Sequence, residues 1–232
     1  MSDISFLGLG LMGAAIATLL QQEGHDMTVW NRSPEKMLPF TENGARGASS
    51  LIDSITASPV VVICIEDYDN TRQLFNVDDI STHLRDRIIV QLSTGTPQDA
   101  VESEQWFTSR GARYLDGAIL GGPANLATDN AQIIIAGAES AYAEAKPQLE
   151  SMCKRVRYVG ENIRAASALD LGCLSRHYGL FLGMTHGVAI CESEGVSLDL
   201  LADMIPGTEY AHRYVKKIHD ENFTETTATL ST

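Results

Sequence analysis

Near its start the chain reads Ile4-Ser5-Phe6-Leu7-Gly8-Leu9-Gly10-Leu11-Met12-Gly13, a short apolar run that leads directly into the pattern G-x-G-x-x-G. A strand, a glycine turn and a helix in this order are typical of a dinucleotide-binding unit, although the bare pattern also occurs as a plain glycine turn. Gly8 permits the tight turn, Gly10 lets the backbone approach a pyrophosphate, and Gly13 lets the helix pack close to the strand. Phosphates are then expected on free N–H groups at the helix N-terminus. The predicted cofactor-binding residues of this loop are Gly8, Leu9, Gly10, Leu11, Met12 and Gly13.

The end of the second predicted strand, Met27-Thr28-Val29-Trp30, indicates which dinucleotide is bound. An NAD site places Asp or Glu there for the ribose 2′-hydroxyl, whereas this chain has Asn31-Arg32-Ser33. A guanidinium pairs with a 2′-phosphate and a hydroxyl donates to it, and Lys36 adds a positive charge nearby. The sequence therefore favours NADP(H) over NAD(H). The alternative is that Arg32 is a solvated loop residue and Ser33 only a helix cap.

Composition sets broad limits on the class of protein. The 232 residues are 44% hydrophobic, which fits a globular domain, and 17 basic against 30 acidic residues give a net charge of −13. Such a charge disfavours nucleic acid and anionic membranes as partners. The four cysteines show no C-x-x-C spacing and are expected to be small buried residues. No basic leader precedes the first strand, so the expected location is the cytoplasm.

Strand-like and helical patterns alternate from residue 1 to about 160, which predicts a doubly wound parallel sheet. Continuous apolar runs at 59–65 and 87–92 are expected to be strands covered on both faces. The polar segments that follow them, Glu66–Asp69 and Ser93–Pro97, should lie at the carboxyl edge of the sheet, where ligands bind in such folds. Two further strands are expected on either side of the small-residue segment 117–124.

The character of the sequence changes after Gly160. Residues 163–194 are rich in Ala, Leu and Gly without proline, which predicts one long helix buried on most sides, and a second helix is expected over about 198–219. The charged residues and histidines inside the first stretch exclude a membrane span. A helix too apolar to face water usually packs against another subunit, so we expect a homodimer.

Several segments together resemble the β-hydroxyacid dehydrogenase superfamily, and within it the NADPH-dependent imine reductases. The general matches are the glycine loop, Asn31-Arg32-Ser33, Ser93-Thr94-Gly95-Thr96-Pro97, Asp116-Gly117-Ala118-Ile119-Leu120-Gly121-Gly122-Pro123 and the long helix. The matches to the imine reductase branch are Cys64-Ile65-Glu66-Asp67-Tyr68 and Tyr178-Gly179-Leu180-Phe181, followed by Glu192-Ser193-Glu194-Gly195. The resemblance spans nearly the whole chain.

The resemblance implies an N-terminal Rossmann domain over residues 1–160, joined by the long helix to an all-α dimerisation domain that begins within 161–232. It implies that dimers form by exchange of the helical parts and that the active site lies between subunits. Further cofactor contacts are then expected from Cys64, Ile65, Glu66, Ser93 and Thr94. Substrate contacts are expected from Gly95, Thr96, Leu120, Gly121, Gly122 and Pro123, and no metal is expected.

The family's hydroxyacid dehydrogenases carry a catalytic lysine early in the long helix, but this chain has no lysine between Lys154 and Lys216. Asp170 stands about where that lysine is expected, as in one stereochemical group of imine reductases. A carboxylate near an iminium stabilises the cation, and a protonated acid in an apolar helix delivers a proton. His177, seven residues on, shares its helical face, and Tyr178 is one step round. The alternative is a packing role for Asp170 and His177.

The resemblance thus implies hydride transfer from NADPH to the C=N bond of a cyclic imine. Oxidation of a small β-hydroxyacid is the second alternative, which the missing lysine disfavours. The sequence stops at Ala228-Thr229-Leu230-Ser231-Thr232, where relatives continue into their last helices, so the helical domain looks truncated. This supports a third alternative, a non-catalytic NADP-binding protein.

Overall fold

The fold is built on one eight-stranded sheet. The computed structural model describes residues 2–205, 212, 215, 216 and 218–220. The strand order is β3-β2-β1-β4-β5-β6-β7-β8, with every neighbouring pair parallel except β6 and β7. This confirms the predicted Rossmann sheet. The strands are β1 (Ile4–Leu7), β2 (Met27–Trp30), β3 (Arg46–Gly47), β4 (Val60–Ile63), β5 (Ile88–Gln91), β6 (Arg113–Leu120), β7 (Gln132–Gly137) and β8 (Val156–Tyr158).

Helices cover both faces of this sheet. They are α1 (Leu11–Gln22), α2 (Leu38–Thr41), α3 (Leu51–Ala57), α4 (Tyr68–Leu74), α5 (Ile80–Leu84), α6 (Pro97–Thr108), α7 (Glu139–Glu150), α8 (Ala165–Ser193) and α9 (Leu198–Met204). Short 3-10 helices occupy Pro34–Met37 and Pro123–Asn125. Polar side chains start several helices: Ser50 caps α3, Asp67 caps α4 and Thr96 caps α6, each by accepting a backbone N–H bond.

Two apolar cores lie on opposite faces of the sheet because side chains alternate along each strand. Ile4 and Phe6 of β1 pack in the same cluster as Ile16 of α1, whereas Leu7 packs in the other cluster with Phe107 of α6. The central strands β1, β4 and β5 are buried on both faces, which explains their mainly apolar sequences.

Strand β6 is longer than the sequence predicts. The small-residue segment after Asp116 does not leave the sheet: Gly117 to Leu120 continue β6 and pair antiparallel with β7. A Cβ atom on Gly117 would come within 2.7 Å of the Leu92 and Ile135 side chains, so glycine permits the close packing here. The strand therefore runs past the last paired residue of β5, Gln91.

The chain forms two compact units, Met1–Asp170 and Leu171–Thr232. The boundary between the two units falls inside α8. Helix α8 itself, Ala165–Ser193, corresponds to the long helix predicted over residues 163–194. The second unit has a small core of its own, formed by Met184, Val188, Ala202, Val215 and Ile218. The described helices include none long and apolar enough to cross a membrane. The predicted helix over 198–219 is described only in part, and Ala228–Thr232 lie outside the described residues.

Two expectations about burial are not met within a single chain, and burial against a second subunit stays a prediction. Helix α8 is not buried on most sides within this chain, since it exposes large apolar side chains at Leu169, Leu171, Tyr178, Leu180, Leu182 and Ile190. Of the cysteines, Cys64 and Cys153 are buried, but Cys173 is exposed and Cys191 is half-buried. Both observations have the same reason, because an apolar sequence in a helix does not say whether its partner surface lies in the same chain.

Candidate functional site

The glycine loop between β1 and α1 has no room for a side chain at two of its glycines, and faces open space at the third. Gly8 has a φ of 97°, and a Cβ there would overlap the carbonyl oxygen of Cys64. A Cβ on Gly13 would overlap the carbonyl oxygen of Gly8. No atom lies within 4 Å of the corresponding position on Gly10, the exposed N-cap of α1. Since the first N–H groups of a helix have no partner within it, this opening fits a pyrophosphate.

Asn31 connects the glycine loop to the loop after β2. Its Oδ1 accepts a bond from the Leu9 N–H at 2.9 Å, and its Nδ2 donates to the Ser33 carbonyl at 3.0 Å. The Asn31 side chain is therefore occupied in holding the two loops together. Arg32 and Lys36 are exposed and form no ion pair with any described residue, and Ser33 makes no side-chain cap bond to the 3-10 helix it precedes. This arrangement leaves two cations and a hydroxyl available to a 2′-phosphate.

The loops that follow β4 and β5 are tied to each other. The Ile65 N–H donates to Ser93 Oγ at 3.3 Å, and Asp67 forms an isolated parallel bridge with Thr94. Burial raises the pKa of the Cys64 thiol to about 12, so this thiol stays protonated at neutral pH. Glu66 and Thr94 are exposed at the rim of these loops.

Thr96 has a structural role that the sequence analysis did not assign. Its Oγ1 accepts the Asp99 N–H at 3.2 Å, and Asp99 Oδ2 in turn accepts the Thr96 N–H at 2.9 Å, which completes a capping box at the start of α6. Leu120 and Gly121 lie beyond the edge of the parallel strands, followed by Gly122 and Pro123. The 3-10 helix that starts at Pro123 lies against α1, which brings this segment to the dinucleotide side of the sheet.

A buried carboxylate lies beneath the loops. Asp116 on β6 is fully buried, and its Oδ1 accepts a short bond from the Tyr68 hydroxyl. Its Oδ2 accepts a bond from Ser167 Oγ at 2.9 Å, and the Tyr114 hydroxyl is 3.4 Å from Oδ1. Burial raises the pKa of Asp116 to about 7, although these hydroxyls favour the charged form.

Sequence reasoning gave no role to Tyr68, Asp116 or Ser167. The signal that could have found them is a single carboxylate in an apolar strand, since a buried carboxylate needs hydrogen-bond partners. The partners themselves are 48 and 51 residues away in the sequence, and no local pattern points to them.

Asp170 is buried, with 9% of its surface exposed, and burial raises its pKa. It lies three residues after Ser167, on the buried face of α8, while Ala168 and Leu169 between them are exposed. His177 and Tyr178 belong to the second compact unit, where both are exposed and their rings meet edge to face at 5.7 Å. Among the described residues no cluster of His, Cys, Asp and Glu could hold a metal ion.

The doubly wound sheet, the open glycine loop and the cationic loop after β2 define a dinucleotide-binding α/β protein. Residues 3–160 match the family model described as the NAD binding domain of 6-phosphogluconate dehydrogenase. The chain belongs to this family, and within it to the imine-reductase-like members of the β-hydroxyacid dehydrogenases, as the sequence analysis predicts.

Three similar proteins illustrate this membership. The NADPH-dependent reductive aminase of Aspergillus oryzae is 33% identical over 190 residues, or 82% of this chain and 64% of that protein. Imine reductase from Myxococcus stipitatus in complex with NADP+ has a TM-score of 0.82 at 29% identity, over 95% of this chain and 78% of that one. Reductive aminase from Aspergillus terreus in complex with NADPH4, cyclohexanone and allyl amine has a TM-score of 0.77 at 33% identity, over 98% and 80%. The chain thus spans 64% of the length of the Aspergillus oryzae relative.

Proposed function

We propose that this protein binds NADPH and reduces C=N bonds of small imines to amines. The observation that carries the proposal is the buried carboxyl group of Asp170, on a helix that has no lysine where hydroxyacid dehydrogenases carry theirs. The similar proteins described above, an imine reductase and two reductive aminases, support the same chemistry. NADPH, when bound, supplies the hydride that this reduction needs.

Three regions of the chain bind different parts of the cofactor in this proposal. The opening at Gly10 and the first N–H groups of α1 receive the pyrophosphate, with Leu9, Leu11 and Met12 lining the turn. Arg32, Ser33 and Lys36 bind the 2′-phosphate, and Asn31 fixes the spacing between the two loops. The linked loops that contain Cys64, Ile65, Glu66, Ser93 and Thr94 hold the nicotinamide end.

Asp170 is the proposed proton donor. Because burial raises its pKa, the carboxyl group holds a proton closer to neutral pH than an exposed aspartate does, and can donate it to the imine nitrogen. Once ionised, the same group stabilises a neighbouring iminium cation. His177 and Tyr178 are the other proposed catalytic residues. Gly95, Thr96 and the segment Leu120-Gly121-Gly122-Pro123 form the proposed walls for the substrate.

The proposed assembly is a homodimer through the C-terminal helices. The apolar side chains that α8 exposes, such as Leu182 at 68%, support an interface there. Light scattering is expected to give twice the 25.2 kDa chain mass. A monomer at micromolar concentration would contradict this part of the proposal. The proposed location is the cytoplasm.

The experiment is a panel on one preparation of the full chain. NADPH oxidation is measured with a five-membered cyclic imine and with a ketone and amine pair, and NADP+ reduction with small β-hydroxyacids. Turnover of imines alone supports the proposal, and turnover of hydroxyacids alone replaces it with a dehydrogenase. NADPH binding without turnover of any substrate would identify a non-catalytic binding protein.

A further inference from the structure

The buried carboxylate of Asp116 joins three parts of the proposed active site that are far apart in the sequence. Its two oxygens serve different elements: Oδ1 accepts from Tyr68 on α4, and Oδ2 accepts from Ser167 in the first turn of α8. Asp116 itself is fixed in the sheet, where it pairs with Gln91 on β5 and Ala136 on β7. The carboxylate therefore connects the sheet to both helices.

The Tyr68 side supports the loop after β5. A Cβ on Gly95 would overlap the Tyr68 ring, so the backbone at Gly95 packs directly on that ring. Helix α4 has a second polar link to the sheet one turn later, since Gln91 Nε2 donates to Thr71 Oγ1 at 2.8 Å. Tyr68 and Thr71 lie on the same face of α4, which holds the ring in place beneath the loop.

The Ser167 side supports Asp170. Ser167 and Asp170 are one helical turn apart on the buried face of α8, and Ala166 beside them packs in a cluster with Ala118 and Ala136 of the sheet. A bond that fixes Ser167 therefore fixes the backbone from which the Asp170 side chain extends. A residue such as leucine at 116 would fill the space without either bond.

We propose that Asp116 is a positioning residue, which holds the Ser93–Thr96 loop through Tyr68 and the first turn of α8 through Ser167 at one fixed spacing. This inference rests on the proposed function in one respect, because the position of α8 affects the rate only if Asp170 takes part in the reaction. A misplacement of about 1 Å at a reacting group can cost on the order of 10²-fold in rate, which is why such a link has a kinetic effect.

The kinetic test compares two buried hydroxyls. Ser167→Ala removes the link to α8, and Ser5→Ala is the matched control, because Ser5 is equally buried and bonds Ser54 and Ser58 away from the carboxyl edge. For Ser167→Ala we expect kcat on imines to fall at least about tenfold, with KM and NADPH affinity unchanged. Ser5→Ala should retain wild-type kcat. Equal losses in both variants would overturn the proposal.

A double-mutant cycle tests whether Ser167 acts through Asp170. If it does, adding Ser167→Ala to Asp170→Asn causes no further loss of kcat, because the group being positioned has already lost its function. Losses that multiply would show that Ser167 acts independently of Asp170, and would overturn the link.

Hydrogen exchange of backbone amides gives a readout that needs no activity. Asp116→Asn replaces one of the two acceptor oxygens by an NH2 group, so whichever hydroxyl faces that group, Tyr68 or Ser167, can no longer donate to residue 116. We expect faster exchange at 93–96 in Tyr68→Phe, at 166–171 in Ser167→Ala, and at one or both segments in Asp116→Asn. The Ser5→Ala control should change neither. If the wild-type chain reduces no imine, the proposed function fails while this experiment still decides the link; unchanged exchange in all three variants overturns it.

Discussion

The two halves of the carboxyl edge of the sheet use polar groups in opposite ways. On the β1–β2 side, Arg32 and Lys36 are exposed and unpaired among the described residues, and Gly10 faces open space. On the β5–β6 side, Asp116 and Gln91 are fully buried and bonded to side chains of the protein. The polar groups of the first half are therefore available to bind a charged molecule, whereas those of the second half bond to other side chains and fix the positions of the surrounding elements. Substitutions of the exposed groups should therefore change binding on the first side, and substitutions of the buried polar groups should change rate or stability on the second.

The largest expected effect is the pH dependence of stability that Asp116 confers. Burial raises its pKa from the ordinary 3.8 to about 7, so the folded state keeps a proton that the unfolded chain releases between these values. The stabilising contribution is complete below pH 3.8 and is lost as pH rises to about 7. The difference corresponds to roughly 4 kcal/mol. Urea unfolding of wild type and Asp116→Asn from pH 4 to 8 should show wild type losing stability relative to the variant. Parallel curves would contradict the assignment.

Gly13→Ala and Gly10→Ala form a matched pair in the glycine loop. A Cβ at Gly13 meets the carbonyl oxygen of Gly8, so the loop must shift, and we expect a loss of about 3 kcal/mol in the free energy of unfolding. Gly10 has a φ of −71° and open space around it, so alanine there should leave the apo protein stable and weaken NADPH binding. Thermal melts and fluorescence titrations separate the two effects. Equal destabilisation by both substitutions would show that the opening at Gly10 is not specific.

Asp170→Asn keeps the shape of the side chain and abolishes its ionisation. If Asp170 delivers a proton or stabilises an iminium, turnover of imines should fall by about 10²-fold, or about 2.7 kcal/mol in activation free energy, while NADPH affinity holds. Steady-state kinetics and a cofactor titration on the same preparation measure both. Wild-type turnover would reduce Asp170 to a packing residue and leave Tyr178 or His177 as the next proposal. Loss of folding would show a structural role instead.

Arg32→Ala should have the most selective effect, because it changes the binding of one cofactor only. Loss of a charged hydrogen bond to the 2′-phosphate weakens NADPH binding by about 1.5 to 3 kcal/mol and leaves NADH binding nearly unchanged. Lys36→Ala is the comparison, and a smaller loss is expected because Lys36 contributes charge without the planar fork of arginine. Titration with both cofactors is the measurement. Equal losses for NADPH and NADH would remove Arg32 from the 2′-phosphate site.

The sequence predicts the sheet well where the signal is local. Strands β1, β4 and β5 are mainly apolar runs, and G-x-G-x-x-G marks the turn between β1 and α1. The extension of β6 through Gly117 and Ala118 is not predictable in this way, because Gly and Ala are poor strand formers and only the pairing with β7 holds them in the sheet. Tyr68, expected in a polar loop, begins α4 and is buried.

The candidate site also has one part that is predictable from local sequence and one part that is not. The 2′-phosphate loop is one contiguous segment, so residue types alone indicate its chemistry. The Asp116 cluster is assembled from three elements, and its geometry exists only once the sheet and α8 are in place. The role of Asn31 as the connector between two loops is also not predictable from the sequence, because it depends on the contact with Leu9 that forms only in the folded chain.

Strand β6 is constrained from both sides, parallel to β5 and antiparallel to β7, and this limits how its length can vary between related sequences. Deleting one residue ahead of Asp116 would turn its carboxylate to the opposite face of the sheet and leave Gly117, which has no side chain, at the position between Tyr68 and Ser167. Insertions are compatible with the fold only in the turns before Arg113 and after Leu120. In an alignment of relatives, gaps should therefore collect on either side of this strand and be absent within it.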